Sequence, residues 1–502
     1  MLQAFINRHD NARPALIDFS VFVSGLLLAF SFAPYNQFWL MFVLLAWLML
    51  CTINKSPGRA FWRGWLFGLG AFAHGIHWIY YSLHYHGGTP FILASALVLL
   101  LSAYLALFPA LGFYIARKWF PVSIEKQLLL LFPASWLLTE WLRGYLFTGF
   151  PWLQLGYAQI DTVLTGYGPL IGGLGIGWLT MLSAGLLAMM LLKKKIHYCV
   201  IGLSGLWLTG LVLSLINWTE ATNKPIQVSL LQGNIAQSEK WKPHMHGPTL
   251  QMYYELTRQN WNSDLIIWPE TAIPDFRHRV GNYLQQLKNE TQIQGKDLLL
   301  GIFIRDPDSS RYYNSVISLR DGEYLKRHLV PLGEYFPLRG LLSFFMQWID
   351  IPMSDVDSGP EQQSLVTAAG QQLGISICFE DAFDRDIRKD LPQASLLVNV
   401  SNDAWFEDSP QPWQHHQIAR MRALESGRYM LRSTNTGVSS IIDEKGKVLA
   451  ISPQFERHVL TNIVQPMQGA TFYSLVGNYL SVILAVLLLV LVRRTIRASS
   501  DA

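Results

Sequence analysis

One cysteine and two charged residues stand where apolar runs end, and together they carry the chemical groups needed for covalent acyl transfer. Cys378 ends an alternating run of β-branched residues, Glu270 follows an apolar run and a proline, and Lys326 follows a shorter apolar run. A thiol attacks a carbonyl as a thiolate, so it needs a base or a nearby cation. Glu270 could accept the thiol proton, and Lys326 could stabilise the oxyanion formed in the attack. The pattern predicts a cysteine nucleophile served by a carboxylate and an ammonium.

Each of these three signals is weak when it is taken alone. A buried cysteine is more often inert, a glutamate after Trp-Pro is more often a turn residue, and a lysine beside an apolar run is more often solvated. The other two cysteines, Cys51 and Cys199, lie in strongly hydrophobic stretches. Cys378 is therefore the only thiol of the polar part of the chain, and three cysteines cannot form a disulfide framework.

Other polar residues could support such a site. Glu334 and Glu380 could tune the pKa values of the three groups, or they could form structural ion pairs. Two histidine pairs have no carboxylate or cysteine at a convincing metal-ligand spacing, and they are His244 with His246 and His415 with His416. We therefore predict neither a metal nor a cofactor.

The composition is typical of a membrane protein. Of the 502 residues, 51% are hydrophobic and only 15% are charged, and the mean hydropathy is +0.22. The 18 tryptophans and 20 tyrosines suit the interface between membrane and water. A net charge of +4 is too small to indicate nucleic acid binding. Membrane lipids are therefore the predicted partners, and nucleic acid is not.

Eight apolar stretches are long enough, or nearly long enough, to span a membrane. The first has no convincing cleavage site, so we interpret it as an anchor rather than a signal peptide. The second and fifth are at the short end of the usual range. The eight stretches are Ala15–Ala33, Phe38–Ile53, Ala60–Leu83, Phe91–Ile115, Gln127–Trp141, Gly168–Leu192, His197–Trp218 and Phe472–Val492.

Basic residues predict the orientation of these spans. Fourteen Lys and Arg residues fall in segments on one side, whereas the short loops opposite contain only Arg143. Positive segments stay in the cytoplasm, so both termini are predicted to be cytoplasmic. The predicted domains are residues 1–219 with seven spans, 220–468 as an outer catalytic domain, and 469–502 with the eighth span and a tail. The fourteen are Arg8, Arg13, Lys55, Arg59, Arg63, Arg117, Lys118, Lys126, Lys193, Lys194, Lys195, Arg493, Arg494 and Arg497.

The outer block alternates between short apolar runs and helical patterns, which predicts one α/β domain. A hairpin turn is expected at Asp443–Gly446. Helices are expected at Thr249–Trp261, Tyr283–Gln292 and Gln414–Met430. Strands are expected at Ile226–Leu231, Leu265–Trp268, Leu298–Ile304, Ser315–Leu319, Leu373–Cys378 and Ser395–Val400.

Between Ile226 and Val464 the sequence resembles the nitrilase, or carbon–nitrogen hydrolase, superfamily. The resemblance rests on Glu270, Lys326 and Cys378, which occur in this order after apolar runs. It implies an α-β-β-α sandwich, in which Glu270 is the general base, Lys326 the cationic stabiliser and Cys378 the nucleophile.

Four phrases and the order of the spans support a resemblance that covers nearly the whole chain. The phrases are Gln232–Ile235, Trp268–Thr271, His328–Pro331 with Gly333-Glu334, and Ile377–Glu380. With seven spans before the outer domain and one after it, the chain resembles the apolipoprotein N-acyltransferase family of Gram-negative inner membranes. This resemblance implies that an acyl chain passes from a phospholipid, through a thioester on Cys378, to the N-terminal amine of a diacylglyceryl-cysteine apolipoprotein, the last step of lipoprotein maturation. It also implies a bacterial inner membrane with the catalytic domain in the periplasm.

Five further residues are candidates for a supporting or substrate-binding role. Phe379 stands where that family often has tyrosine, so aromatic packing is expected without a hydroxyl contact. Trp241 matches an aromatic on a mobile loop of the family and could contact lipid. Asn399 begins a turn-rich segment that is predicted to shape the pocket wall. Glu140 and Arg143 are three residues apart at the outer end of the fifth span, where they could pair near a lipid entrance.

Two other functions remain open from the sequence. A membrane-tethered amidase of the nitrilase type would use water instead of an amine as the acceptor. Eight spans favour a lipid substrate because one span would suffice as a tether. A transporter with a degenerate outer sensor domain is a third possibility, but the spans contain no convincing inverted repeat and the Glu-Lys-Cys set is intact.

Overall fold

The computed structural model describes residues 2–120, 122–222, 224–331, 333–335 and 355–500. The chain divides into two compact units. The first comprises Met1–Ile79, Ile92–Asn217 and Val476–Ala502, and the second comprises Tyr80–Phe91 and Trp218–Leu475. The predicted catalytic block thus forms one unit with a short segment from the hydrophobic part of the sequence. Leu332 in the His328–Glu334 phrase and Ala502 in the predicted tail lie outside the described residues.

The first unit is helical. In lipid no water can bond to the backbone N–H and C=O groups of an apolar run, so these groups form hydrogen bonds within a helix. Its longer helices are Leu2–Ala12, Pro14–Leu28, Phe38–Thr52, Pro57–Gly75, Phe91–Leu105, Leu107–Lys118, Phe132–Arg143, Gly168–Leu191, Ile196–Ser214 and Tyr479–Ser500. Its short turns of helix are Ala29–Ser31, Ile79–Tyr81, Ile124–Lys126, Gln127–Leu131, Leu146–Thr148, Tyr157–Gln159 and Val163–Tyr167.

Within the described ranges, five helical segments are long and apolar enough to cross a membrane. They coincide with the first, fourth, sixth, seventh and eighth predicted spans. The five are Pro14–Ser31, Phe91–Lys118, Val163–Leu191, Ile196–Ser214 and Tyr479–Ile496.

The other three predicted spans form shorter or more polar helices. Phe38–Thr52 has only 15 residues. Pro57–Gly75 includes the buried Arg63 and ends well before the predicted Leu83. The fifth stretch is interrupted by a turn of π-helix at Gln127–Leu131 before Phe132–Arg143 begins. A total of eight spans therefore stays a prediction.

Within the part of the chain that the structure describes, the second unit contains fourteen short strands, which we number in chain order. They are β1 Glu220–Ala221, β2 Ile226–Gln232, β3 Leu265–Ile267, β4 Asp297–Arg305, β5 Tyr312–Ser318, β6 Glu323–Leu325, β7 Val366–Ala368, β8 Gln371–Ile377, β9 Leu396–Ser401, β10 Met430–Thr434, β11 Ser440–Ile442, β12 Val448–Ile451, β13 His458–Val464 and β14 Met467–Gln468. Its helices are Ser82–His86, Gln237–Lys240, Pro243–Arg258, Gly281–Gln294, Cys378–Ala382, Asp384–Arg388, Asp403–Phe406, Gln411–Ser426 and Phe472–Val476.

Twelve of these strands form two six-stranded sheets, and β1 pairs with β14. The strand order is β13-β2-β3-β4-β5-β6 in the first sheet and β12-β11-β10-β9-β8-β7 in the second. In each sheet three adjacent interior strands are parallel, namely β2, β3 and β4 in the first and β10, β9 and β8 in the second. Val228 of β2 lies opposite Leu265 of β3, and Ile375 of β8 lies opposite Val398 of β9. Parallel strands deliver their carboxyl ends to the same edge of a sheet.

One hydrophobic core joins the two sheets, and two more lie on their outer faces. Val228, Ile267, Ile375 and Val398 belong to the shared core, so both sheets contribute to it. A second cluster joins the first sheet to helices Pro243–Arg258 and Gly281–Gln294, and a third joins the second sheet to helix Gln411–Ser426. Strands covered on both faces are expected to be continuously apolar, as these are. The predicted α-β-β-α sandwich is confirmed.

Most predicted elements of this unit are found, with one clear correction. The helix expected to reach Met430 ends at Ser426, because Gly427 takes φ +63° and the chain then enters β10. Glycine adopts this left-handed conformation without steric cost and often ends helices. The predicted hairpin at Asp443–Gly446 is confirmed, since it joins the antiparallel β11 and β12.

Candidate active site

Buried contacts of Trp268, the residue that follows β3, place Glu270 near the carboxyl end of that strand. The amide of Trp268 donates to the Leu299 carbonyl over 2.9 Å and continues the β3–β4 pairing. Its indole donates to Thr257 over 3.0 Å, and the side chain is fully buried. These contacts fix the position of Trp268 and so of the chain that leads to Glu270. Glu270 itself is 7% exposed.

Lys326 directly follows β6 and is held by the neighbouring strand. Its amide donates to the Asn314 carbonyl over 2.9 Å, and the residue is 1% exposed. The ammonium donates to Glu334 Oε1 over 2.7 Å and lies 3.6 Å from Glu270 Oε1. Lys326 is therefore buried between two carboxylates.

Cys378 directly follows β8 and has a strained backbone. Its φ is +54°, in the left-handed region that residues other than glycine rarely adopt. The carbonyl of Cys378 accepts from His415 Nε2 at 3.1 Å and from Asn399 Nδ2 at 3.2 Å. Strain of this kind persists where surrounding contacts enforce it, and it is concentrated at functional sites.

Hydrogen-bond donors fix both carboxylates beside Lys326. Glu270 accepts from Asn314 Nδ2 at 2.7 Å and from the Asn402 amide at 2.8 Å. Glu334 accepts from the Val330 amide at 2.9 Å and, more weakly, from the same Asn314 amide group at 3.2 Å. Asn314 therefore bridges the two carboxylates.

The raised pKa values of Cys378 and Lys326 keep Cys378 as a neutral thiol and Lys326 as a charged ammonium. Burial raises the pKa of Cys378, the Glu270 charge raises it further, and Lys326 opposes both. Burial alone lowers the pKa of Lys326, but the charges of Glu334 and Glu270 outweigh it, so this pKa is raised. The thiolate can therefore form only when a neighbouring base takes the proton.

Glu380 binds the two segments that carry the thiol and the ammonium. One carboxylate oxygen accepts from the Arg327 and His328 amides over 2.6 and 2.9 Å, and the other accepts from the Ile377 amide over 2.7 Å. The Tyr324 hydroxyl lies 3.0 Å from both oxygens. Burial raises the pKa of this carboxyl to about 7, although the backbone donors oppose it. Glu380 thus joins these two segments by hydrogen bonds and has no exposed surface.

A buried quartet of charges lies beneath Cys378. His415 Nε2 is 2.8 Å from Asp381, and His415 Nδ1 is 3.1 Å from Asp403. Arg432 donates to Asp403 over 2.9 Å. Burial and the Arg432 charge lower the pKa of His415, but the two carboxylates outweigh them and raise it. The quartet is neutral when His415 is protonated, and it holds the carbonyl of Cys378 from below.

The thiol, the ammonium and both carboxylates line one open pocket in the second unit. Its apolar wall could accommodate part of a hydrocarbon chain. The polar lining residues are Ser82, Gln237, Glu270, Thr271, Asn314, Lys326, Glu334, Cys378 and Asn402. The others are Trp241, Phe303, Val330, Gly333, Val356, Trp405 and Phe406.

The remaining candidates from the sequence occupy different places. Trp241 lines the pocket, with its ring 5.9 Å from that of Phe303. Phe379 packs against Phe383, with ring centres 5.0 Å apart. Asn399 is fully buried and donates to the Cys378 carbonyl, so it lies behind Cys378 instead of facing the pocket.

Glu140 and Arg143 lie in the first unit. Their side chains are 3.4 Å apart, and Arg143 also donates to the carbonyls of Phe150 and Trp152 over 2.6 Å. The Leu155 amide donates to Glu140. The pair therefore holds the loop that follows its own helix.

Two residues of the site were not predicted from the sequence: Asn314 lies in β5, and Lys240 contacts the Glu270 turn. Neither belongs to a recognisable motif, because each acts through a contact between distant segments. Asn402, which contributes its backbone amide, lies with Trp405 and Phe406 in the turn-rich segment that begins at Asn399 and is predicted to shape the pocket wall. Among the described residues, no group of three or more His, Cys, Asp or Glu side chains could hold a metal ion.

Comparisons with known proteins find relatives over most of the chain. A family model described as "Apolipoprotein N-acyltransferase N-terminal domain" matches residues 24–186, and one described as "Carbon-nitrogen hydrolase" matches residues 227–471. A Methylococcus capsulatus protein named apolipoprotein N-acyltransferase is 46% identical over 460 residues, which is 91% of each chain. A Nitrosomonas europaea protein of the same name is 43% identical over 94% of this chain and 95% of its own.

Among solved structures, the chain is similar to Nit3 of Saccharomyces cerevisiae, a member of branch 10 of the nitrilase superfamily. The TM-score is 0.37 and the identity 16%, over 49% of this chain and 93% of that chain.

Proposed function

This chain belongs to the apolipoprotein N-acyltransferase family, and from that premise we propose how it performs acyl transfer. Cys378 takes an acyl chain from a phospholipid as a thioester and passes it to the N-terminal amine of a diacylglyceryl-cysteine apolipoprotein. Glu270 is the base, and Lys326 stabilises the oxyanion. The observation that carries this assignment is the single pocket lined by all three side chains.

In the first half-reaction the Cys378 sulfur attacks the ester carbonyl of the phospholipid while Glu270 takes the thiol proton. The carbonyl oxygen becomes an oxyanion, which the Lys326 ammonium stabilises. The bond between the carbonyl carbon and the glycerol oxygen then breaks. Glu270 returns the proton to that oxygen, so the products are a lysophospholipid and a thioester.

In the second half-reaction the α-amine of the acceptor attacks the thioester carbonyl. Glu270 takes a proton from the attacking nitrogen, and Lys326 again stabilises the oxyanion. The carbon–sulfur bond breaks, and Glu270 gives its proton to the Cys378 sulfur. The free thiol is restored, and no cofactor takes part.

We further propose an inner-membrane protein with eight spans, cytoplasmic termini and the second unit in the periplasm. Contacts within the first unit support this orientation because basic segments that are distant in sequence meet one another there. These contacts are Lys55 with Asp10 at 2.6 Å, Arg117 with the Lys55 carbonyl at 3.0 Å, Lys194 with Glu125 at 3.2 Å, and Arg493 with the Trp119 carbonyl. Grouped positive charges favour the cytoplasmic side.

The test of the catalytic proposal separates the two half-reactions. Purified full-length protein is incubated with phospholipid in micelles, and lysophospholipid is measured before and after a diacylglyceryl-cysteine lipopeptide is added. We expect one equivalent of lysophospholipid and a thioester-linked acyl chain on Cys378 before the lipopeptide is present. Mass spectrometry locates the adduct.

The matched control is Cys378→Ser, which should form no acyl-enzyme and release no lysophospholipid. A serine hydroxyl is much harder to ionise than a thiol, so Glu270 cannot activate it. Lysophospholipid release that begins only after the lipopeptide is added would show that the covalent order is wrong.

A further inference from the structure

Lys240 is a second buried lysine beside the reacting groups, and the mechanism above gives it no role. It ends the helix Gln237–Lys240 and is 2% exposed. Its ammonium donates to the Glu270 carbonyl over 3.2 Å and to Thr271 Oγ1 over 2.6 Å. Among the residues that the structure describes, no carboxylate is within ion-pair distance of it. A buried ammonium with only neutral acceptors costs stability, so this lysine calls for a functional explanation.

The turn that Lys240 holds is strained and closely packed. Thr271 is β-branched and has φ +44°, a conformation that such residues rarely adopt. Gly301 of β4 contacts the same turn so closely that a Cβ there would lie 2.5 Å from the Pro269 carbonyl oxygen. The backbone of Glu270 is therefore held between Gly301 and Lys240, and this fixes the direction of its carboxylate.

Lys240 also completes the charge balance of the pocket. Glu270 and Glu334 contribute two negative charges, and Lys326 contributes one positive charge. The charge of Lys240 acts on both Glu270 and Cys378. With Lys240 protonated, the site stays neutral when the thiol proton moves to Glu270. Without it, the site has one uncompensated negative charge, which opposes formation of a thiolate or an oxyanion.

We propose that Lys240 is a positioning residue for acyl transfer, which fixes the Glu270–Thr271 turn and supplies the second positive charge of the site. The proposal rests on the proposed function, because it takes Glu270 as the base and Cys378 as the nucleophile. Lys240 itself does not contact the reacting atoms; it acts through the Glu270–Thr271 turn and through its charge.

The protonation of Lys240 gives the proposal a pH signature. Burial lowers the pKa of Lys240 to about 8, although Glu270 and Cys378 partly oppose this. The positive charge is therefore present below about pH 8 and lost above it, so acylation should slow as the pH rises through this value. The charged groups nearest to Lys240 in the chain pair elsewhere: Glu239 pairs with Lys242 and His244, and His246 pairs with Asp275. Farther along the next helix, Glu255 accepts from Gln251 and Arg258 lies over the Tyr254 ring.

The test measures acylation of Cys378 in a single turnover. The full-length protein in micelles is mixed with dioleoylphosphatidylethanolamine that has a radiolabelled acyl chain, at several pH values. Lys240→Met should acylate slower by on the order of 10²-fold, because the base is misplaced, and should lose the decrease above pH 8. Lys242→Met, two residues away on an exposed side chain, is the matched control and should stay within about twofold.

A Lys240→Met variant that acylates at the original rate with the original pH profile would overturn the proposal. Should that variant not fold, Thr271→Val removes the 2.6 Å contact and keeps the side-chain shape. It should slow acylation by about tenfold, which corresponds to the loss of one net hydrogen bond. An unchanged rate would contradict the proposal that Lys240 holds the Glu270–Thr271 turn. Absence of label on the unchanged chain would instead overturn the proposed function itself.

Discussion

At the scale of single residues, Lys326 is the group on which both half-reactions of the proposed mechanism depend. Its ammonium is bound to Glu334 at 2.7 Å and lies farther, at 3.6 Å, from Glu270. Glu334 thus holds the ammonium while Glu270 keeps its own donors from Asn314 and Asn402. This arrangement leaves the base free to move a proton without releasing the cation.

Lys326→Ala should slow both half-reactions by on the order of 10²–10³-fold, as loss of one oxyanion donor does. Lysophospholipid release and acyl transfer to a lipopeptide are measured separately. Lys326→Arg should not restore the rates, since a planar guanidinium places its donors differently from an ammonium. Lys445→Ala, in the exposed hairpin turn, is the control. Loss of only one half-reaction in Lys326→Ala would contradict the shared role.

At the scale of elements, the site depends on where β6 and β8 end. Lys326 directly follows the first strand, and Cys378 directly follows the second. The two strands belong to different sheets, so no backbone ladder joins their ends. The carboxylate of Glu380 makes this connection, because it accepts hydrogen bonds from the Arg327 amide after β6 and from the Ile377 amide at the end of β8.

Glu380→Gln should reduce the rate of Cys378 acylation by on the order of 10²-fold with little change in folding. Both oxygens of Glu380 accept from backbone N–H groups, and glutamine replaces one of these oxygens by an NH₂ group, which cannot accept. A backbone N–H then faces another donor, so the two segments shift apart. Tyr324→Phe is the matched control, because it removes one neutral donor at 3.0 Å and leaves the backbone contacts. Its rate should decrease less. Equal rates for Glu380→Gln and the unchanged chain would remove Glu380 from the positioning machinery.

At the scale of the whole molecule, the proposed topology makes a prediction about access from outside the cell. In a chain whose three native cysteines are replaced by alanine, Lys242→Cys reports on the outer domain near Gln237, and Lys194→Cys reports on the loop Lys193–Lys195. A membrane-impermeant maleimide applied to intact inner-membrane spheroplasts should label the first and leave the second unlabelled. Labelling of Lys194→Cys alone would reverse the orientation inferred from the basic residues, and labelling of both would contradict it by placing the two positions on the same side.

The sequence by itself determined the class of each region, and it predicted the triad of Glu270, Lys326 and Cys378 that the structure places in one pocket. Apolar length indicates the helices of the first unit, and alternating apolar runs indicate the strands of the second. Glu270, Lys326 and Cys378 were recognisable because each ends such a run, so local pattern and chemistry coincide. These features depend on residues that are close in the chain.

The tertiary structure decided which residues hold the triad in place. Asn314 bridges two carboxylates from the middle of a strand, and Lys240 reaches the Glu270 turn from a helix thirty residues earlier in the chain. Asn399 and His415 both bind the Cys378 carbonyl from elements that follow it. Such contacts leave no periodic signal, because a hydrogen bond between distant segments is fixed by how the sheets pack rather than by spacing along the chain.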